Sequence, residues 1–171
     1  MKRVLLFFLL FSAFVSQGQD VATLQDIFLK VTEDRSQLKA LFEKVNLDEE
    51  KETPLEKGYK GVLKAMMAEN VSNPFTKYQY FVSGKERLEE AIALEPTNME
   101  LRCLRLAMQL NTPIFLGYRS KIEEDKSFIL GQMELDPSWT HHPVVVSIQP
   151  LVEGWEAPVE AKNPGQGQKQ L

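Results

Sequence analysis

The chain is poor in the side chains that most often serve catalysis and metal binding, with one cysteine, Cys103, and two histidines, His141 and His142. One cysteine cannot form an intrachain disulfide. The apolar neighbours of Cys103 predict a buried, inert thiol, with an intermolecular disulfide or a reactive nucleophile as alternatives. Adjacent histidines point apart and no third ligand follows at a fixed spacing, so they predict no zinc site. Because no histidine precedes Pro137, the commonest general base is missing from most of the chain.

The sequence also lacks the short motifs of common enzymes and cofactor sites. It contains no G-x-S-x-G, H-E-x-x-H, C-x-x-C or P-loop pattern and no dinucleotide fingerprint. We therefore predict no catalytic residue, metal or cofactor, and a hydrolase working through carboxylates is the least favoured class. The net charge of −4 disfavours nucleic acid and anionic membrane surfaces as partners.

The apolar run at the amino terminus, about twelve residues, is shorter than the roughly 20 with which a helix spans a bilayer, so a permanent anchor is disfavoured. The first residues, MKRVLLFFLLFSAFVSQG, place Lys2 and Arg3 before an apolar run that ends near Val15. This layout predicts a signal peptide over residues 1–18, cleaved near Gly18. The mature protein should then be periplasmic or extracellular, without a stable membrane anchor. Loss of Lys2 and Arg3 takes the 20 basic side chains to 18, against 24 acidic ones, a net charge of −6.

What the sequence does contain is a series of amphipathic helical patterns, which predict one all-α domain over residues 19–142. Residues 21–46 carry two apolar stripes separated by Asp34, a helix-capping residue that favours two short helices or a sharp kink. Thr53, Pro54 and Glu56 form a strong helix start. Further starts are predicted at Pro74, at Thr97 as a cap, and at Ser120 as a cap. Gly58 and Gly61 predict the close approach of a neighbouring helix.

Helix boundaries recur at a regular distance. Pro54, Pro96 and Pro137 are 42 and 41 residues apart, a period typical of helical repeats. Before Pro96, Gly84, Leu88 and Ala91 occupy the small, bulky and alanine positions of a tetratricopeptide repeat. The stretch AIALEPTN resembles the boundary of that repeat, although the second unit keeps only the bulky position.

The resemblance covers roughly residues 53–137. It implies antiparallel helix pairs stacked as a short, right-handed, TPR-like solenoid or bundle. The run PTNMELRCLRLAMQLNTPIFLGYRSKIEEDKSFIL after a signal peptide also resembles a group of short exported proteins of Bacteroidetes-type bacteria. That second likeness implies export and a helical fold, and it lends no activity.

The carboxyl-terminal part lacks helical periodicity. Residues 143–152 contain a run of β-branched side chains without a second strand to pair with, which predicts an extended segment packed on the domain. Residues 153–171 are rich in proline, glycine and glutamine and are predicted to be a disordered tail.

One polar stripe interrupts the otherwise apolar helix over residues 98–110: Arg102, Arg105 and Gln109, spaced i, i+3, i+7. On an open groove, two guanidinium groups could hold a carboxylate of a peptide by bidentate hydrogen bonds. The alternative is internal pairing with Glu123, Glu124 or Asp125 of the following helix, because a buried arginine needs a partner.

The connection NTPIFLGYRS is unusually apolar. It either presents Phe115 and Tyr118 at the rim of a binding surface or tucks its side chains under the helix ends as a plug. We favour the plug, because an exposed apolar cluster invites aggregation. In the plug, Gly117 would relieve backbone strain.

Two functions follow from these patterns, and the sequence leaves the oligomeric state open. The first is protein or peptide binding, through Arg102, Arg105 and Gln109 with Phe115 and Tyr118 at the rim. The alternative is a carrier of small molecules or lipids, with an apolar cavity lined by three methionines and an aromatic cluster: Met66, Met67, Met108, Phe75, Tyr78, Tyr80 and Phe81.

Overall fold

A computed structural model describes residues 17–45, 47 and 52–152 of the chain, with side chains from Val21 onward. Within these residues all regular structure is helical and no strand occurs, so the all-α prediction is confirmed. The signal-peptide prediction for residues 1–18 falls almost entirely outside the described residues, and the tail prediction for 153–171 lies wholly outside them. None of the described helices combines the length and the apolar character needed to cross a membrane.

Within the described residues, seven α-helices follow one another. Their bounds are α1 Gln17–Glu33, α2 Leu38–Phe42, α3 Pro54–Met66, α4 Pro74–Leu94, α5 Met99–Asn111, α6 Ile122–Leu135 and α7 Pro143–Ile148. Short 3-10 turns lie between or after them, at Arg35–Gln37, Met67–Asn70, Ile114–Leu116, Pro137–His141 and Gln149–Leu151.

Local capping explains where several helices begin. The Thr53 side chain accepts a hydrogen bond from the Glu56 amide, and the Glu56 carboxylate accepts one from the Thr53 amide, which completes the predicted capping box of α3. The Asp34 side chain accepts from the Ser36 amide at 3.0 Å, and α1 ends before it. The prediction of two helices in this region is therefore confirmed.

Two predicted caps are wrong. Helix α5 is capped by Asn98, whose side chain accepts from the Leu101 amide at 3.2 Å, because α5 starts one residue later than the Thr97 cap would require. Ser120 does not cap α6. The side chain of Gln109 accepts from the Lys121 amide at 2.9 Å instead, so this helix start is satisfied by a neighbouring helix.

Helices α1, α3 and α5 run in the same direction. Gln25, at the middle of α1, donates to Tyr59 in the first half of α3 and to Glu100 at the start of α5. Toward their other ends all three line a common groove. Helix α4 is antiparallel to α3, since Lys57 pairs with Glu90 while Gly61 lies against Gly84. Helix α7 packs on both α5 and α1 and closes the helices into a bundle.

The segment 143–152 is not extended, which corrects the sequence prediction. Residues Pro143–Ile148 form α7, with Pro143 at its first position, where a proline fits without loss of a hydrogen bond. Val144, Val145 and Ile148 are buried, so the segment does pack on the domain. A helix satisfies the backbone of this segment internally, and burial between two helices outweighs the weak β-propensity of its valines.

Helices α3 and α4 approach closely where glycines face each other. A Cβ atom at Gly84 would lie 2.4 Å from the Gly61 carbonyl oxygen and 2.6 Å from the Ala65 amide nitrogen. These backbone atoms cannot move without shifting a whole helix. The close approach predicted at Gly61 is confirmed.

Replacement of Gly84 by Ala should therefore destabilise the protein by roughly 1–3 kcal/mol, the range for overpacked sites. Gly131→Ala in α6 is the matched control, because a Cβ there meets nothing within 4 Å. The control should stabilise by up to about 1 kcal/mol through helix propensity. Urea unfolding followed by circular dichroism measures both, and equal effects of the two substitutions would contradict the packing.

Candidate functional site

The predicted polar stripe of α5 converges on one buried carboxylate. Asp125 of α6 is 0% exposed. The Arg105 guanidinium donates to it twice, at 2.7 and 2.6 Å. Arg102 donates to it at 2.9 Å and Gln109 at 3.4 Å. The structure thus brings Arg102, Arg105 and Gln109 together, on an acceptor that belongs to this chain.

Further carboxylates extend this network toward the surface. Glu124 accepts from Arg102 at 2.9 Å and from Lys121 at 2.7 Å, and these bonds lower its pKa to about 2, the Lys121 hydrogen bond being the larger cause. Glu89 of α4 accepts from Arg105 at 3.1 Å and from the Tyr118 hydroxyl. The network therefore joins α4, α5, α6 and the connection before α6.

The arginines are internally paired, which is the alternative that the sequence left open. Arg105 is almost fully buried. Burial alone would lower the pKa of Arg105, but the hydrogen bonds with Asp125 raise it above its usual value, so the charge is firmly held. Both guanidinium groups already hold carboxylates of this chain, and we therefore look for the binding surface elsewhere.

A second feature is a groove of about 690 Å³ at the end of the bundle where α1, α3, α5 and α7 finish and α4 begins. Each of the five helices, or the turn that follows it, contributes apolar side chains to the lining. Representative contributors, in chain order, are Phe28, Met66, Phe81, Met108, Phe115 and Leu151.

The polar side chains that line the groove are largely satisfied by their own helices. Thr32 donates to the Leu29 carbonyl at 2.7 Å, and Ser147 donates to the Val144 carbonyl at 2.7 Å. Asn111 and Thr112 likewise donate to carbonyls four residues earlier, at 2.8 and 2.6 Å. These hydroxyl and amide groups are therefore bonded to the backbone of their own helices. The groove wall thus offers a ligand fewer hydrogen bonds than its residue types alone would suggest.

Three charged side chains border the groove. Arg35 and Glu69 form an ion pair at 3.2 Å. Lys77, on the first turns of α4, is exposed, and its ammonium group makes no ion pair or hydrogen bond within the described part of the chain. The border therefore has a net positive charge with one ammonium group available.

The loop residues of the predicted site separate in the structure. Phe115 is 85% exposed and lines the groove, and Ile114 is 77% exposed, so the plug prediction is wrong for both. The 3-10 turn at Ile114–Leu116 directs these two side chains outward. Gly117 adopts φ 66, as its predicted role requires.

Tyr118 lies away from the groove lining. Its ring packs edge-on against Phe81 with centroids 6.0 Å apart. Burial, followed by its hydrogen bond with Glu89, raises the pKa of its hydroxyl group. Tyr118 thus stabilises the wall behind the groove and does not form its rim.

Four of the predicted carrier residues line the groove, namely Met66, Tyr78, Phe81 and Met108. The other three do not: Met67 is buried elsewhere in the core, and Phe75 and Tyr80 lie outside the lining. Sequence reasoning missed Thr32, Lys77, Ser147 and Leu151. The one available signal was the i, i+3, i+4, i+7 spacing of Pro74, Lys77, Tyr78 and Phe81.

The opposite end of the bundle holds a smaller polar cluster. The Tyr59 hydroxyl donates to Glu100, and His142 lies 3.7 Å from that carboxylate. Burial is the main cause that raises the pKa of the Cys103 thiol nearby, in accord with the predicted inert thiol. Across residues 21–45, 47 and 52–152 no three potential ligands cluster as a metal site would require.

Comparisons with known proteins give no relative for this chain: no protein-family model, curated protein or solved structure matches it. The function must therefore be argued from the groove and the network alone.

Asp125→Ala should destabilise the protein by about 3–5 kcal/mol, because two guanidinium groups lose their buried partner. Lys121→Ala is the matched control: it removes an exposed pair with Glu124, which contributes at most about 1 kcal/mol. Chemical unfolding of both variants measures the difference. Similar small losses would mean that water replaces Asp125 without cost.

The lowered pKa of Glu124 makes stability depend on pH. A carboxyl group with a depressed pKa in the folded state stabilises the fold above its usual value of 4.5 and loses that contribution as the pH falls toward about 2. Glu124→Gln should flatten the stability profile in this window. Glu123→Gln is the matched control, because Glu123 is exposed and makes no ion pair among the described residues. This substitution should leave the stability profile unchanged.

Proposed function

We propose that the protein is an exported helical binding module whose groove holds an amphipathic peptide segment of a partner protein, with an apolar face and an acidic residue beside it. The observation that carries this proposal is an open, apolar groove whose own polar side chains are satisfied internally. Such a wall offers few hydrogen bonds to a polar ligand, so apolar burial must supply most of the affinity.

The border of the groove favours a peptide over a small molecule. Of the lining residues, Phe115 is 85% exposed and Tyr78 is more than half exposed. A small ligand inside the groove would leave these rings in water, whereas a helical or extended peptide lying across the border would cover them. Lys77 supplies the counter-charge for an acidic residue of the peptide.

The carrier hypothesis is the second candidate, because Met66 and Met108 give the groove two adaptable apolar side chains. Lipid or another apolar compound retained by the purified protein would support it. We keep the tetratricopeptide relationship as part of the proposal, since parallel α1, α3 and α5 with α4 antiparallel to α3 are compatible with that layering.

Selection from a display library of random 12-residue peptides on the full-length protein tests the proposal. Enriched peptides should combine spaced large apolar residues with at least one acidic residue. Ala68→Phe, which places a ring in the groove, should abolish their binding, and Lys77→Glu should weaken it about tenfold, or roughly 1.4 kcal/mol.

Two control variants match these changes outside the groove. Ala40→Phe and Lys39→Glu alter exposed residues of α2 and should leave peptide binding unchanged. Absence of enrichment, or selected peptides that bind Ala68→Phe as well as the wild type, would refute the peptide groove. Lipid found by native mass spectrometry in the wild type and lost in Ala68→Phe would replace it with the carrier.

A further inference from the structure

We propose that the carboxyl-terminal segment of this chain, residues 153–171, is the resident occupant of the groove, anchored by Trp155, and that a partner peptide must displace it. The inference rests on the proposed function, because it assigns to the same groove an internal competitor. Its first support is where the described chain stops, and its second is the chemistry of the residues that follow.

The described chain ends at the groove itself. Leu151 lines the groove and is 40% exposed, and Val152 is buried against the core. The described chain therefore ends, at Val152, beside the groove border. Trp155 is four residues beyond Leu151, a distance that an extended chain spans up to about 14 Å. Trp155 can reach the groove without any rearrangement of α7.

The residues after Val152 match the chemistry of the groove. The stretch EGWEAPVE, residues 153–160, places Trp155 between Glu153 and Glu156 and contains three carboxylates and no basic residue. The groove border carries Arg35 and Lys77 against Glu69. An apolar anchor flanked by acidic residues has the same chemistry as the partner peptide of the proposed function.

Covalent attachment favours this occupant over the same sequence on another molecule. A short tether holds a segment at an effective concentration in the millimolar range, which exceeds the concentration of a second copy in most solutions. An aromatic side chain with two rotatable torsions also binds at low conformational cost. A weak intrinsic affinity therefore suffices to keep the groove covered.

A single-tryptophan form of the full chain tests the inference directly. Trp139→Phe leaves Trp155 as the only tryptophan, and the replaced ring packs against His142 with centroids 4.7 Å apart, away from the groove. In the folded protein Trp155 should emit at shorter wavelength and be quenched less by acrylamide than in denaturant. Lys77→Glu and Ala68→Phe in this background should shift the emission toward the denatured value and increase quenching.

The controls and alternatives give separate outcomes. Lys39→Glu and Ala40→Phe should leave the emission of Trp155 unchanged. A tryptophan as accessible as in denaturant, in every variant, would overturn the inference, while peptide selection blocked by Ala68→Phe would still uphold the proposed function. Protection that increases with protein concentration would assign the groove to the tail of a second copy and overturn the intramolecular proposal.

Affinity for a selected peptide provides an independent check. If the tail covers the groove about nine-tenths of the time, Trp155→Ala in the full chain should tighten peptide binding about tenfold, because the open fraction rises toward one. Unchanged affinity in Trp155→Ala would contradict competition between tail and partner.

Discussion

The burial of one carboxylate, Asp125, constrains the rest of the structure. A fully buried carboxylate must keep its hydrogen-bond donors, and all three side-chain donors come from α5. Helix α6 is therefore fixed against α5 in direction and register. The same contacts use the entire polar stripe of α5, which explains how a helix with apolar residues nearly all round lies at the centre of the bundle.

The groove lies at one end of the bundle because the close contacts between helices are made elsewhere. The glycine contact brings α3 and α4 close together at their middle, and α7 closes the bundle between α1 and α5. The ends of these helices have no further element to cover them within the described chain. The side chains of Ser147 and Thr112 donate to carbonyls of their own helices, so the uncovered surface is apolar and suited to a ligand of the same character.

Local signals in the sequence predicted much of the fold. The capping box at Thr53 and the break at Asp34 depend on residues near in sequence, and both were predicted correctly. The close approach at Gly61 involves the distant Gly84, but a glycine within a helical pattern was enough to predict it. The helix α7 was not predicted, because the preference of its valines is decided by burial against α1 and α5. The preference for a buried plug at Phe115 over an exposed rim was wrong for the same reason: whether a loop is covered depends on distant elements.

The candidate site was predictable only in part. Internal pairing of Arg102 and Arg105 could be named as an alternative, since acidic residues follow within one connection. The groove could not be derived, because it forms where five helices meet and no sequence pattern predicts how these helices pack together. Only the stripe that contains Lys77 and Tyr78 lies within a single helix.

The account holds that partners contact the groove while the network around Asp125 is structural, and hydrogen exchange of the full chain measures this division most directly. With a selected peptide at saturation, the account predicts added protection in residues 62–69, 74–81 and 107–116 and none in 121–129. Protection concentrated in 121–129, with the groove segments unchanged, would contradict it.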